Sequence, residues 1–248
     1  MANPLNPERL EVVILSVDID WAPDFAIEAL IRRLDRHQAR ATLFLTHQSS
    51  ALAELDPRRY ELGLHPHLPD RLDLASALST LSPLAPQARG VRFHRLIQST
   101  PLMAELGRAG FLYDASLLIP YQTHLRPFRF PPPLIRIPYA WEDDVHAMTN
   151  KPWTLESIDI EAPGLRIFDF HPIHVFLNTD SPSRYEAAKK EGFTLEACRR
   201  LQHSGPGTST FLDDLLAYVH RRRVEMWTLL ELAQAVSRGH VPEGCFSS

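Results

Sequence analysis

The sequence predicts an α/β fold, a mostly parallel sheet with helices packed outside it, and three observations point there. Short β-rich runs alternate with amphipathic helical runs over the whole of the 248 residues. No internal repeat or Gly/Ser-rich linker interrupts the alternation, so a single domain over residues 1–248 is expected. Polar and titratable residues follow the strands directly, as they do where the C-terminal strand ends of an α/β barrel carry the reactive groups.

The elements follow in order. Glu11–Val17 (EVVILSV) is a continuous apolar run suited to a buried strand. In Asp24–Arg36, Phe25, Ile27, Leu30, Ile31 and Leu34 recur at helical spacing. Ala41–Thr46 and Glu61–Leu64 read as the second and third strands, Leu72–Leu81 as a helix, Gly90–Phe93 as the fourth strand and Thr100–Ala109 as a helix ending before Gly110. A further strand begins at Leu112–Asp114. Pro120–Pro138 contains Pro127, Pro131, Pro132 and Pro133 and cannot be a regular helix. Because it is apolar and aromatic, it reads as a packed excursion returning through a strand at Leu134–Tyr139. Leu165–Phe170 is a late strand, Ser183–Glu191 and Thr208–Arg222 are helices, Glu225–Thr228 is a last short strand and Leu229–Val236 a closing helix.

Composition narrows the function classes. A net charge of −4 offers no basic field for nucleic acid or an anionic membrane. No apolar run is long enough to span a bilayer, and MANPLNPERLEVV has no apolar signal-peptide core, so a cytoplasmic protein is expected. Cys198 and Cys245 match no metal or redox spacing, which fits a reducing compartment.

Five strand ends carry reactive side chains: Asp18 and Asp20 after the first, His65 and His67 after the third, Arg92 and His94 at the fourth, Glu142, Asp143 and Asp144 after Leu134–Tyr139, and His171 and His174 after the late strand. Each has an ordinary reading. Asp18 and Asp20 could cap the helix near Asp24, the histidines could be loop or core residues, and the acidic run could be a solvated loop. Their coincidence at five strand ends favours a gathered site. A carboxylate with two imidazoles is an O/N donor set suited to zinc, cobalt or nickel with one position left open. A second carboxylate could accept a proton from water and a further imidazole could protonate a leaving group, the equipment for amide or ester hydrolysis. Trp21 and Trp141 lie beside the acidic strand ends and could pack on a sugar ring, while Leu64, Leu68 and Ile173 could wall an acyl pocket.

The ordered set resembles the polysaccharide deacetylases, carbohydrate esterase family 4 (NodB-like). SVDIDW is similar to the first motif, ATLFLTH to the second-strand segment, ELGLHPH to the histidine motif, VRFHR to the arginine motif, AGFLYDASL to the GF-x-YD-x-S stretch and FDFHPIH to the final motif. GLHPH, VRFHR, PYAWEDD and FHPIHVFLN look most like the WbmS-type deacetylases found with O-antigen biosynthesis genes. The resemblance runs from about residue 11 to about residue 178. It departs where Ile19 separates the two aspartates and where Pro69 stands four after His65.

The resemblance implies an irregular (β/α)7–8 barrel. It implies a metal-dependent hydrolase removing an N-acyl group, most simply acetyl, from an amino sugar of surface-polysaccharide or O-antigen biosynthesis. It also implies one divalent metal, zinc or else cobalt or nickel, on Asp20, His65 and a third imidazole from His94 or His67. Asp18 matches the base, with an exchange of roles with Asp20 left open, Arg92 its partner and His171 the acid. Asp169 or Asp144 would raise the His171 pKa, and Asp144 would otherwise bind sugar, as would Trp21, Trp141 and His174. Two other readings remain: hydrolysis of a non-peptide C–N bond in a small metabolite, and a deacetylase-like fold that binds sugar without turnover.

Overall fold

The computed structural model describes residues 12–68, 74–130 and 133–241. Glu11, the helix start expected at Leu72, Pro69, Pro131, Pro132 and Cys245 lie outside them. The chain runs β1 (Val12–Asp18), α1 (Asp24–Arg36), β2 (Ala41–Leu45), β3 (Tyr60–Leu64), α2 (Leu74–Leu81), β4 (Gly90–Val91), α3 (Thr100–Arg108), β5 (Tyr113–Leu118), β6 (Phe128–Phe130), β7 (Leu134–Tyr139) and β8 (Trp141–Glu142). It continues through α4 (Asp143–Ala147), β9 (Ile167–Phe170), α5 (Pro172–Leu177), α6 (Pro182–Lys190), α7 (Leu195–Leu201), α8 (Thr208–Arg222), β10 (Glu225–Trp227) and α9 (Leu229–Ser237).

The strands form one sheet in the order β6-β7-β5-β4-β3-β2-β1-β9-β8, with β10 added to β1. Every pairing is parallel except β6 with β7. The sheet is not closed by a ladder: its ends are β6 and β8. The chain itself crosses from one end to the other, because β7 stops at Tyr139 and β8 starts at Trp141. Beside that crossing, His124 N–H donates to Pro163 O (2.7 Å) and Leu165 N–H to Leu125 O (2.9 Å), tying the irregular segment before β6 to the approach to β9. A cavity of ≈ 240 Å³ lies along this seam, lined by Tyr121, Trp141, Ile160, Leu165 and Phe168 among others.

Alternation with period two separates two faces. On β1, Val13, Leu15 and Val17 join the helix-side core with Ile27, Leu30 and Leu34 of α1 and Phe211, Leu212 and Leu215 of α8. Val12 and Ile14 point into the lumen with Ile135, Ile137 and Ile167, and α9 packs Leu229, Leu232 and Val236 there. The lumen therefore has an apolar floor at the strand N-termini. Further along the same parity on β1 come Ser16 and Asp18, and on β9 Asp169 and then His171, all buried. Asp18 and Asp20 do not cap α1. Its N-cap is Pro23, with no side-chain bond, and Asp24 in its first turn accepts from Ser49 and Ser50.

Candidate active site

The strand ends gather as the sequence suggests. Asp20 follows β1 in a turn where Asp20 (φ 44°) and Trp21 (φ 52°) are both left-handed, closed by Ala22 N–H donating to Ile19 O (2.9 Å) and Trp21 N–H to Thr46 Oγ1 (2.9 Å). His94 is followed by a second such pair, Arg95 (φ 59°) and Leu96 (φ 52°). Non-glycine residues held there are strained by roughly 1–3 kcal/mol each and gather at functional sites. The turns bring Asp20 Oδ1 to 3.0 Å from His65 Nε2 and 3.0 Å from His94 Nδ1. Asp20, His65 and His94 offer donor atoms within 4.8 Å of one another. Metal–donor bonds of about 2.0–2.1 Å in a tetrahedron set neighbouring donors roughly 3.3 Å apart, so the set fits a zinc-type ion. Among the described residues the buried Nδ1 of His65 has no hydrogen-bond partner.

His67 stands outside this trio, contrary to one of the two expectations for the third imidazole. It is exposed and packs edge-on against His94 (5.2 Å) and Trp21 (5.8 Å). The Pro66 carbonyl accepts from His94 N–H (3.1 Å). His65 directly follows β3 and is buried against Asp20, whereas His67, two residues beyond it, is exposed, so of the two only His65 reaches Asp20.

Arg92 is fully buried, with Cζ over the rings of Tyr139 (4.3 Å) and Phe44 (4.7 Å). Its Nε donates to Ala115 O (3.0 Å), Nη2 to Ser16 Oγ (3.0 Å) and Nη1 to both Asp18 Oδ1 (3.0 Å) and Asp169 Oδ1. Asp18 Oδ2 is 3.6 Å from His65 Nε2.

His171 Nδ1 is 2.7 Å from Asp143 Oδ1, and its backbone N–H donates to Asp143 Oδ2 (2.9 Å). His171 Nε2 lies 3.6 Å from Asp20 Oδ2. The residue orienting His171 is thus Asp143. Asp144 lies near His171 and Glu142, and Asp169 is engaged by Arg92. Asp143 opens α4 while Asp144, next on the helix, turns to the cavity, a one-residue distinction that a run of three acids hides.

Charge is redistributed by burial and pairing. Burial would raise Asp20, but hydrogen bonds from His65 and His94 and the neighbouring imidazole charges hold its carboxyl far below the usual range. Burial works against the His65 cation, yet Asp18 and Asp20 leave its pKa raised. Burial likewise opposes the His171 cation, and Asp143 and Asp20 more than compensate, holding it well above an ordinary imidazole. Burial pushes Asp169 up to about 7 against the pull of Arg92. Burial also pushes Glu142 well up, helped by Asp144 and Asp169, and Tyr139 donates to it (2.6 Å).

A cavity of ≈ 140 Å³ opens beside Asp20 and His171, walled by Trp21, Asp144, His174 and Tyr185 among others. Trp21 is 49% exposed at its edge and Met148, also on its wall, 70% exposed. His174 stacks on Tyr185 (4.7 Å) and meets Thr179 Oγ1 through Nδ1 (3.0 Å); burial lowers its pKa. Trp141 is not available to a sugar. It is 3% exposed, stacks on Phe211 (4.5 Å, 8°) and donates Nε1–H to His146 (3.2 Å), so it belongs to the helix-side core. Leu64 and Leu68 are core residues too, and only Ile173 of the expected acyl wall lines the cavity. The groups that sequence reasoning missed are Ser16, whose signal is its lumen parity two before Asp18, and Tyr185 on α6.

Among the described residues no helix is long and apolar enough to cross a membrane. A search of curated proteins found no match. Among solved structures, the chain is similar to a Bordetella bronchiseptica protein described as a polysaccharide deacetylase involved in O-antigen biosynthesis. Identity is 31% and TM-score 0.74, covering 83% of this chain and 89% of that one. A Mycobacterium smegmatis protein described as a polysaccharide deacetylase shares the fold at 17% identity and TM-score 0.58, covering 96% of this chain and 93% of that one. A peptidoglycan N-acetylglucosamine deacetylase shares the fold at 12% identity and TM-score 0.51, covering 90% and 88%. Residues 15–189 match the WbmS-like family model, so the chain belongs to the WbmS-like polysaccharide deacetylases.

Proposed function

We propose that this chain hydrolyses an N-acyl group, most simply acetyl, from an amino sugar destined for a surface polysaccharide, using a divalent metal held by Asp20, His65 and His94. The observation that carries this reading is the meeting, at one end of the lumen, of three donor atoms within 4.8 Å, a carboxylate anchored by Arg92 and an imidazole paired to its own carboxylate. When bound, a zinc, cobalt or nickel ion would polarise the acyl carbonyl and acidify the attacking water.

The chain's own groups account for the proton transfers. Asp18, fixed through Oδ1 by Arg92, keeps Oδ2 on the side of His65 and accepts the proton of the attacking water. His171, with Nδ1 held by Asp143, keeps Nε2 toward Asp20 and gives a proton to the departing amine, a poor leaving group without it. Trp21 at the cavity edge offers a ring face to a pyranose, and Asp144 and His174 on the wall take sugar hydroxyls. The described role of the Bordetella relative supports the O-antigen setting.

Metal analysis and acetate release from N-acetylated amino sugars test the reading. His65→Ala is expected to abolish stoichiometric metal, and Asp18→Asn and His171→Ala to lower turnover roughly 10²–10⁴-fold with metal retained. Wild-type metal content in His65→Ala removes the ligand assignment. Metal loss in Asp18→Asn means that the two aspartates have exchanged roles. If metal-loaded protein releases no acyl group from any acylated amino sugar, a sugar-binding protein is the better account.

A further inference from the structure

We propose that Asp169, together with Ser16, is a positioning residue for Asp18: it holds the Arg92 fork so that the guanidinium takes one oxygen of Asp18 and leaves the other facing the reacting centre. The proposal rests on the deacylase reading above.

The parallel register of β1 and β9 makes Ser16 and Asp169 direct partners, and both side chains enter the lumen. Ser16 Oγ donates to Asp169 Oδ1 (2.5 Å) and accepts from Arg92 Nη2 (3.0 Å). Asp169 Oδ1 also accepts from Arg92 Nη1, closing a ring along the outer edge of the guanidinium. Nε is spent on Ala115 O, and Cζ lies 4.3 Å from the Tyr139 ring centre and 4.7 Å from that of Phe44.

A guanidinium opposite a single carboxylate prefers to grip both oxygens with two parallel N–H groups. Here the second tooth of the fork, Nη2, is given to Ser16. Asp18 therefore receives one bond, to Oδ1, and Oδ2 stays forward, 3.6 Å from His65 Nε2. Without the Ser16–Asp169 clamp, Nη2 is free to join Nη1 on Asp18 and draw Oδ2 back into the lumen.

The arrangement is energetically unfavourable as a purely structural device. Two buried carboxylates share one buried guanidinium, and among the described residues Asp169 Oδ2 has no hydrogen-bond partner. A desolvated surplus charge destabilises unless it is compensated. Burial and the charge of Asp18 accordingly lift the Asp169 pKa to about 7.

The test uses zinc-loaded full-length protein at about pH 8.5, where Asp169 is ionised, and 4-nitrophenyl acetate, whose leaving group needs no proton from His171. Asp169→Asn keeps the shape and removes the charge. It is expected to lower kcat about 10–100-fold, as misplacement of a reacting group by about 1 Å does, with KM and zinc content unchanged. In an Asp18→Asn background the same substitution is expected to change kcat less than about 3-fold, because a residue acting through Asp18 has nothing left to position. An equal loss in both backgrounds overturns the proposal.

The crystal structure of Asp169→Asn supplies a readout independent of turnover: both oxygens of Asp18 on Arg92 support the clamp, and an unmoved Asp18 overturns it. If Asp169→Asn does not fold, Ser16→Ala, which frees Nη2, carries the same expectations at smaller amplitude. Wild-type protein inert toward the ester counts against the deacylase reading itself, and the crystal structure still decides whether Asp18 is clamped.

Discussion

His171 lies in surroundings that by themselves would strip its proton, and Asp143, bonded to both its ring and its backbone, reverses that. The cation is the form that can donate to a leaving amine, so the sign matters. With His171 as the proposed donor, a raised pKa keeps it protonated through neutral pH, and activity is expected to be lost as pH rises through the folded value. The basic limb of the rate profile is thus expected above the ordinary imidazole value of about 6.5. Asp143→Asn leaves the desolvation and removes the leading charge that opposes it, so the basic limb is expected to move to lower pH, with the largest loss at the alkaline end. A pH–kcat series for amide substrates checks this; an unmoved basic limb in Asp143→Asn would falsify the pairing as the source of the shift. The same scale separates what could be read in the sequence from what could not. Asp18, His65, Arg92 and His171 each end or directly follow a strand, and parity aims them at the lumen; Asp20 and His94 lie two and three residues beyond β1 and β4, in turns. Which of Asp143 and Asp144 meets His171, and which of His65 and His67 meets Asp20, depends on the path of a turn, and neighbouring residues of like chemistry leave no mark of that.

Among the elements, the two-residue strand β4 places Arg92 and His94, and it does so with almost no side chain of its own. At Gly90 a β-carbon would sit 1.9 Å from Tyr113 Cζ on the paired strand β5. Tyr113 fills that slot and donates to Glu61 Oε1 (2.7 Å), while Glu61 Oε2 accepts from Thr42 Oγ1 (2.7 Å) and Leu230 N–H (2.8 Å). Gly90→Ala is expected to expel the tyrosine ring and break this buried link between β2, β3, β5 and α9. The loss is about 2–4 kcal/mol from overpacking and an unsatisfied buried acceptor. Urea unfolding measures it, and a loss below about 1 kcal/mol would mean that the slot can widen. Most long elements were legible: α1, β7 and α8 have the bounds that periodicity predicts. The pieces that periodicity passed over, β6, β8, α4, α5 and α7, span 3, 2, 5, 6 and 7 residues. Each is too short for a hydrophobic period to declare itself, and α5 begins at a proline that favours a helix start and a loop equally. Trp141 was misread for a related reason. It stands beside acidic residues in sequence, but its strand parity sends the indole outward onto Phe211.

Across the whole molecule, polarity is graded along the lumen: isoleucine, valine and α9 at the strand N-termini, then Ser16 and Asp169, then Asp18, His65 and His171. Association of one end with chemistry and the other with packing was readable from strand ends in sequence. The open ladder was not, because it depends on where β7 bends at Ala140 into β8. That open ladder has a mechanical consequence. In a barrel bonded all round, hoop stiffness is shared by every strand; here the ladder is interrupted along one line, bridged by the chain crossing and the two backbone bonds of His124 and Leu165, and that line is also hollow. Asp20, His65 and His94 lie just beyond β1, β3 and β4, each at least two strands in from that line, whereas Asp143 and His171 lie just beyond β8 and β9, the last two strands on one side of it. The two halves of the site therefore differ in compliance. Amides at the seam, His124 and Leu165, are expected to exchange with deuterium faster than those of the β1–β2 ladder at Val17 and Leu43. Equal protection would mean a uniformly stiff wall. On the proposed deacylase reading, a soft lip would let the side assigned to the departing sugar yield to saccharides of different girth while the side assigned to the acyl carbonyl keeps its geometry.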